Sequence, residues 1–369
     1  MKAKIPIRNV RAEAFTVPTD RPEADGTIAW NSTTLVLVEV EGGGKVGLGY
    51  TYSGACIAGL IREKLAATIT GKDAMAPQAC FVAMQRAVRN LGREGLAATA
   101  ISAVDIALHD LKARLLDLPL VVVLGARRAS IPIYGSGGFT TYSDSELEEQ
   151  LGGWVARQGC AFVKMKIGSQ PERDPHRVAV AKRAIGEHAS LFVDANGAYG
   201  PKQAVQMANT FAQQDVAWFE EPVSSDDLQG LATVRRHAPA GMEVAAGEYA
   251  YTSDYVRTML EAGAVDVQQA DATRCGGVTG FLQIGALCDA FHVDLSGHCA
   301  PALHLQIACA TPRIRHLEWF HDHVRIERML FDGAPQPRNG QIAPDLAAPG
   351  NGLVFKRADA AVYAVSEAA

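Results

Sequence analysis

Residues 162–168 read FVKMKIG, and two lysines stand inside what is otherwise an apolar strand. Phe162, Val163, Met165 and Ile167 are strand formers or apolar fillers, and Gly168 closes the run. Strand side chains alternate faces, so Lys164 and Lys166 project from the same side. Two ammonium groups side by side repel, and an unpaired buried charge is expensive. The stretch therefore requires a neighbouring source of negative charge.

Around it the chain has a regular rhythm. From residue 131 onward, eight short apolar strands alternate with helical stretches: IPIYGSG, FVKMKIG, SLFVDAN, VAWFEEP, MEVAAGE, AVDVQQAD, FHVDLSGH and IRHLEWF. Helix-like segments such as 144–158 and 202–214 lie between them. Such alternation argues for parallel βαβ units, and eight in succession for a (β/α)8 barrel. The first third reads as α+β. TTLVLVEV and KVGLGYTY are strands joined by EGGG, and helical patterns follow at 58–69, 77–88 and 95–116. No Gly-Lys-Ser/Thr follows the glycines, so they do not form a phosphate loop. After about Phe320 the pattern dissolves into turn-rich sequence and a last short strand, 353–356, expected to pack back on the first unit. The expected division is 1–125, 126–325 and 326–369.

The strand ends carry the chemistry. Lys166, Asp194, Glu220, Glu248, Asp271, His298 and Glu318 each end one of seven successive strands, at steps of 20 to 28 residues. In a closed barrel these ends meet at one mouth, where active sites are built. The two lysines then face a pocket that holds their counter-charges. Asp194, Glu220 and Glu248 repel one another unless a cation neutralises them. An all-oxygen acidic set suits Mg2+; zinc fits less well, with no Cys or His in the set. For any one of these acids a helix cap or a lysine partner is the ordinary reading, but three successive strands ending alike favour the metal.

Composition bounds the function. With 369 residues, 48% of them hydrophobic, the chain can bury a large core in two domains. A net charge of −5 without a basic run argues against nucleic-acid or membrane-surface partners. No secretory h-region and no run of ~18 apolar residues appear. Seven scattered cysteines without ligand spacing read as reduced thiols, so a cytoplasmic protein is expected.

VKMKIG, FVDANGAY, WFEEPV, AAGEYA, QADATRCGGVTG and GHCAP, in this order and spacing, resemble the strand-end motifs of the enolase superfamily, closest to its mandelate racemase subgroup. The resemblance covers nearly the full chain. It implies a modified (β/α)7β TIM barrel without a regular last helix, under an α+β capping domain made from the N-terminal region and the C-terminal tail. It implies Mg2+ on Asp194, Glu220 and Glu248, with Asn196 orienting substrate and Glu221 supporting the site. Lys166 is the base implied on one face of the substrate, its pKa lowered by Lys164 and the ion; Lys164 stabilises the enediolate. In the bland alternative both lysines only pair with the acids. His298, paired with Asp271, acts from the other face, while His292, His304, His321 and His323 are read as structural. Glu318 is expected to donate a hydrogen bond to the substrate carboxylate, which requires it protonated in an apolar setting near Trp319 or Phe320. Capping segments PTDRPEADGTIAW and YTYSGACIA offer Arg21, Asp25, Trp30, Tyr50 and Tyr52 to the distal end of the substrate, though each also fits an ordinary solvated loop. The implied activity is removal of the proton α to a carboxylate, above all in dehydration of a sugar acid. Racemisation, epimerisation or cycloisomerisation are alternatives on the same groups, and a non-catalytic, metal-dependent carboxylate-binding protein is the alternative of another class. A homo-oligomer, dimer to octamer, is implied as well.

Overall fold

The computed structural model describes residues 4–366. Three antiparallel strands come first: β1 (Ile7–Ala24), β2 (Ala29–Gly42) and β3 (Lys45–Tyr52). β1 was not among the expected strands. Segment 18–30, expected as a loop, is the tip of the β1–β2 hairpin, whose register slips between Pro18 and Glu23. Pro18 and Pro22 cannot donate to a ladder, which is why the slip falls there. Helix Leu96–Leu116 lies on this sheet and is buried on almost every face. It approaches closely: a Cβ on Gly47 of β3 would stand 2.2 Å from the Ala107 carbonyl oxygen.

The eight expected barrel strands are all present: β4 (Ile131–Gly137), β5 (Phe162–Lys166), β6 (Ser190–Asp194), β7 (Val216–Glu220), β8 (Glu243–Ala246), β9 (Val267–Ala270), β10 (Asp294–Gly297) and β11 (Ile314–Phe320). They run in sequence order, parallel, and β11 pairs with β4 to close the ring. Tyr134, Phe192, Trp218, Ala245 and Val267 pack together inside it, with His316 against the aromatic rings. Phe192 and Trp218 stack at 4.9 Å. This apolar plug is the floor of the mouth above it.

The regular pattern ends later than expected. A ten-residue helix, His321–Leu330, follows β11 directly. It escaped notice because its polar residues, Asp322, His323 and Glu327, lie on its buried side and serve the capping domain. The Thr33 hydroxyl donates to Asp322, the Tyr50 hydroxyl donates to Glu327 at 2.6 Å, and the Tyr52 ring stacks on His323 at 3.5 Å. Farther on, Arg357 pairs with Glu13 and Glu39, and the Val365 amide donates to the Ala14 carbonyl at 2.9 Å. No helix of the described residues is long and apolar enough to cross a membrane.

Candidate active site

Alternation along β5 sends Lys164 and Lys166 into the mouth, where both are buried. Lys166, Asp194 and Glu220 are register neighbours at the ends of β5, β6 and β7, so their side chains stand in a row. Lys164 Nζ bonds Glu220 and lies 2.9 Å from Glu318 and 3.5 Å from Asp194. Lys166 Nζ bonds Asp194. Buried Arg177 holds the end of β5 by donating to the Lys166 carbonyl at 2.8 Å and to the Gly138 and Phe139 carbonyls.

Asp194, Glu220 and Glu248 bring one oxygen each to within 4.8 Å of one another. Ligands on opposite sides of an ion with Mg–O bonds of about 2.0–2.1 Å lie about 4 Å apart, so small side-chain shifts bring the three oxygens onto one octahedral centre. Trp218 Nε1 steadies Glu220 Oε2 at 3.0 Å, and the Asn196 amide donates to Asp194 Oδ1 at 2.9 Å. Asn196 Oδ1 and Glu221 Oε1 are buried there without a partner. Six carboxyl groups (Asp194, Glu220, Glu221, Glu248, Asp271, Glu318) meet four cationic ones (Lys164, Lys166, Arg274, His298), and six against four leaves two negative charges. That is the charge of one divalent ion. Burial, with this excess of carboxylates, pushes the Glu220 carboxyl up to about 8 against the pull of Lys164, and Glu221 well above its ordinary range.

His298, just beyond β10, completes the ring from across the mouth; two strands separate β10 from β5 on one side and four on the other. Its Nδ1 lies 2.9 Å from Asp271 Oδ2, and its Nε2 3.4 Å from Glu248 and 3.8 Å from Glu318. Burial alone would lower the imidazole pKa, but the surrounding Cys299, Glu248, Glu318 and Asp271 raise it well above the ordinary value. His304 is fully bonded between the Ala272 amide and the Ala300 carbonyl, which makes it a brace for the Asp271 turn.

One expectation about charge depends on the ion, and another needs correction. Burial acts to lower the Lys166 pKa and Lys164 lowers it too, yet Asp194, Glu248 and Glu220 together raise it, so in the chain alone the amine keeps its proton. Glu318 does not sit in an apolar setting. It lies against Lys164, accepts from Ser136 Oγ at 2.6 Å and from the Cys299 amide at 3.0 Å, and stays ionised: burial raises its pKa, but Lys164 and His298 lower it more.

A cavity of about 390 Å3 opens above the ring, lined by Lys166, Asn196, Glu248, His298 and Glu318 below and by Asp25, Trp30 and Tyr52 of the capping strands above. Asp25 spends its Oδ1 on the amides of Thr27 and Ile28, so it shapes the hairpin tip. Arg21 does not reach the cavity; it points outward to Glu146 and Glu149 and over the Tyr142 ring. Tyr50 does not reach it either, being buried between Phe331 and Glu327. The cavity also contains Arg274, Tyr249, Cys299 and His323, which sequence reasoning did not place there. Arg274 follows Asp271 by one helical turn and bonds Glu248, a signal available in DATR.

Comparison with known proteins agrees with this arrangement. Residues 11–125 match the family described as mandelate racemase / muconate lactonizing enzyme, N-terminal domain, and residues 146–360 match the enolase C-terminal domain-like family. The chain is 30% identical to the 3,6-anhydro-alpha-L-galactonate cycloisomerase of Streptomyces coelicolor, over 95% of this chain and 97% of that one. It is 31% identical to the L-talarate/galactarate dehydratase of Salmonella typhimurium, over 81% and 77% of the two chains. A structure of that dehydratase liganded with Mg and L-lyxarohydroxamate superposes with a TM-score of 0.90 at 26% identity, covering 99% and 94%. A mandelate racemase/muconate lactonizing enzyme-like protein from Rubrobacter xylanophilus superposes with a TM-score of 0.95 at 50% identity, covering 98% and 100%. This chain belongs to the enolase superfamily, in its mandelate racemase/muconate lactonizing enzyme group.

Proposed function

We propose that this protein is a magnesium-dependent enzyme that removes the proton α to a carboxylate and dehydrates a sugar acid. The observation that carries the reading is the arrangement of Lys166 and His298 on one cavity, across the mouth from each other, with Asp194, Glu220 and Glu248 beside them. A bound Mg2+ would supply the positive charge that lets a substrate carboxylate accept electron density from Cα. With Asp194 drawn to such a cation, Lys166 would lose the partner that holds its proton, and its Nζ would be free to take the α-proton. Lys164 stays charged beside the developing oxyanion. Protonated His298, held by Asp271, delivers its Nε2 proton to the departing β-hydroxyl. Asn196, with its unpartnered amide oxygen, orients the substrate.

Cycloisomerisation is the second reading, favoured by the nearly full-length match to the Streptomyces cycloisomerase. It uses the same base and acid with a ring oxygen leaving in place of hydroxyl. We further propose a homo-oligomer acting in carbohydrate-acid breakdown in the cytoplasm, a reducing compartment that accords with seven free cysteines. The test is turnover of a library of mono- and diacid sugars and their anhydro forms in D2O with Mg2+. A 2-keto-3-deoxy acid formed from an open-chain sugar acid with loss of one water, absent under EDTA and restored by Mg2+, establishes dehydration. A ring-opened isomer establishes the second reading. Ligand-induced stabilisation without any Cα exchange or product would reduce the protein to a carboxylate binder and sink both.

A further inference from the structure

A second group of ligand-type atoms meets outside the cavity, where the capping hairpin crosses the end of β11. Asp20 and Glu23 come from β1, and His321 opens the helix after β11. One oxygen of each acid and one ring nitrogen lie within 4.8 Å of one another. His321 Nε2 stands 3.1 Å from both Asp20 oxygens. Glu23 is 1% exposed: its Oε2 accepts from Trp30 Nε1 at 2.7 Å, and its Oε1 is buried with no partner. A bare buried oxygen is unfavourable and calls for a ligand. The neighbours do not provide one. Arg325 spends its Nη2 on the Pro18 carbonyl and Asp322, each at 2.6 Å, its buried Nε makes no bond, and Arg21 turns away toward Glu146. Burial and then Asp322 push the Glu23 carboxyl up to about 8, against the pull of Trp30 and Arg325. Two surface clefts reach Asp20 and His321 and give an ion a way in.

We propose that Asp20, Glu23 and His321 form a second divalent-cation site that takes a borderline transition ion of the Zn2+ class and ties the capping hairpin to the barrel. One imidazole and two carboxylates are zinc donors, whereas the ring inside the mouth is all oxygen. Neighbouring ligands of an ion with bonds of about 2.0–2.1 Å sit about 3 Å apart, close to the spacing already present between His321 and Asp20. The ion takes the place of the hydrogen bond between His321 and Asp20, protons displaced from the three ligands pass to solvent or to His321 Nδ1, and Glu23 Oε1 gains its missing partner. Three protein ligands leave the fourth position to water.

The experiment dialyses the full chain against micromolar ZnCl2 in excess MgCl2, counts retained zinc by mass spectrometry, and locates it by anomalous diffraction at the zinc edge. Wild type and Asp194→Asn should each retain one zinc per chain. His321→Ala and Glu23→Gln, checked for folding by circular dichroism, should hold it about tenfold more weakly or worse. His321 is partly exposed, so its replacement leaves the fold in place. The proposal is overturned if wild type retains no zinc beside Mg2+, if Asp194→Asn loses it, if both site variants keep it, or if the anomalous peak lies elsewhere.

Discussion

At Lys166 the opposing effects turn on one partner. Burial and Lys164 push its proton off, while Asp194 holds it on, so whatever draws on Asp194 decides whether the amine is a base. Lys166→Ala should therefore lower Cα-proton exchange by about 10²–10⁴-fold, the range of a lost general base, while Mg2+ binding by calorimetry persists. Normal exchange in that variant would pass the base to another group. The metal-type acids, both lysines and the His298–Asp271 pair were all legible because polar residues at the ends of short apolar strands have one common destination. Tyr50 was misplaced because alternation alone cannot tell it from Tyr52: both share a face, but Tyr50 sits two residues, about 7 Å, farther from the mouth. Arg21 was misplaced because its partners, Glu146 and Glu149, lie on a barrel helix that its own strand gives no sign of meeting.

The capping hairpin shows what the elements add. Its tip residue Gly26 rests on the backbone just past β5 and β6: a Cβ there would come within 2.6 Å of the Ile167 carbonyl oxygen and 2.4 Å of that of Ala195. Those residues directly follow Lys166 and Asp194, so the hairpin seats on the loops that aim the base and one acid. Gly26→Ala must lift the tip or distort both loops. It should reduce kcat/KM at least tenfold, with a loss of about 1–3 kcal/mol in denaturant stability, the usual effect of overpacking. Unchanged kinetics would mean that the tip moves freely. The barrel strands were readable from their alternation with helices. β1 was not, since Ala12, Ala14 and two prolines dilute its pattern, and the contact of Gly26 involves partners that only folding brings near.

Between the two domains the seam is polar and buried. Helix Leu96–Leu116 sends Ser102 and Asp105 to the amides of Gly276 and Thr279, and Glu327 receives Tyr50 Oη and, at 3.2 Å, the Ala302 amide. Burial pushes the Glu327 carboxyl from about 4.5 up to about 8. The folded state thus keeps a proton that the unfolded chain has lost, so Glu327's contribution is full below pH about 4.5 and disappears as pH rises through about 8. Glu327→Gln keeps an acceptor for the Ala302 amide and turns its NH2 to the Tyr50 oxygen, without titrating. The melting temperature of wild type minus that of the variant should fall steadily between pH 5 and 9; a flat difference would contradict the shift. The seam was illegible beforehand because Asp105 lies in a helix whose apolar pattern signals only burial, and Glu327 in one whose polar residues hid it.

The plug of Tyr134, Phe192 and Trp218 beneath the ring has a further effect on traffic. With the barrel axis filled below Lys164, whatever enters under the hairpin must leave under it too. Reactant and spent acid share one doorway and one set of charged groups, so accumulated product competes directly for entry. Turnover is then governed by how often that doorway clears.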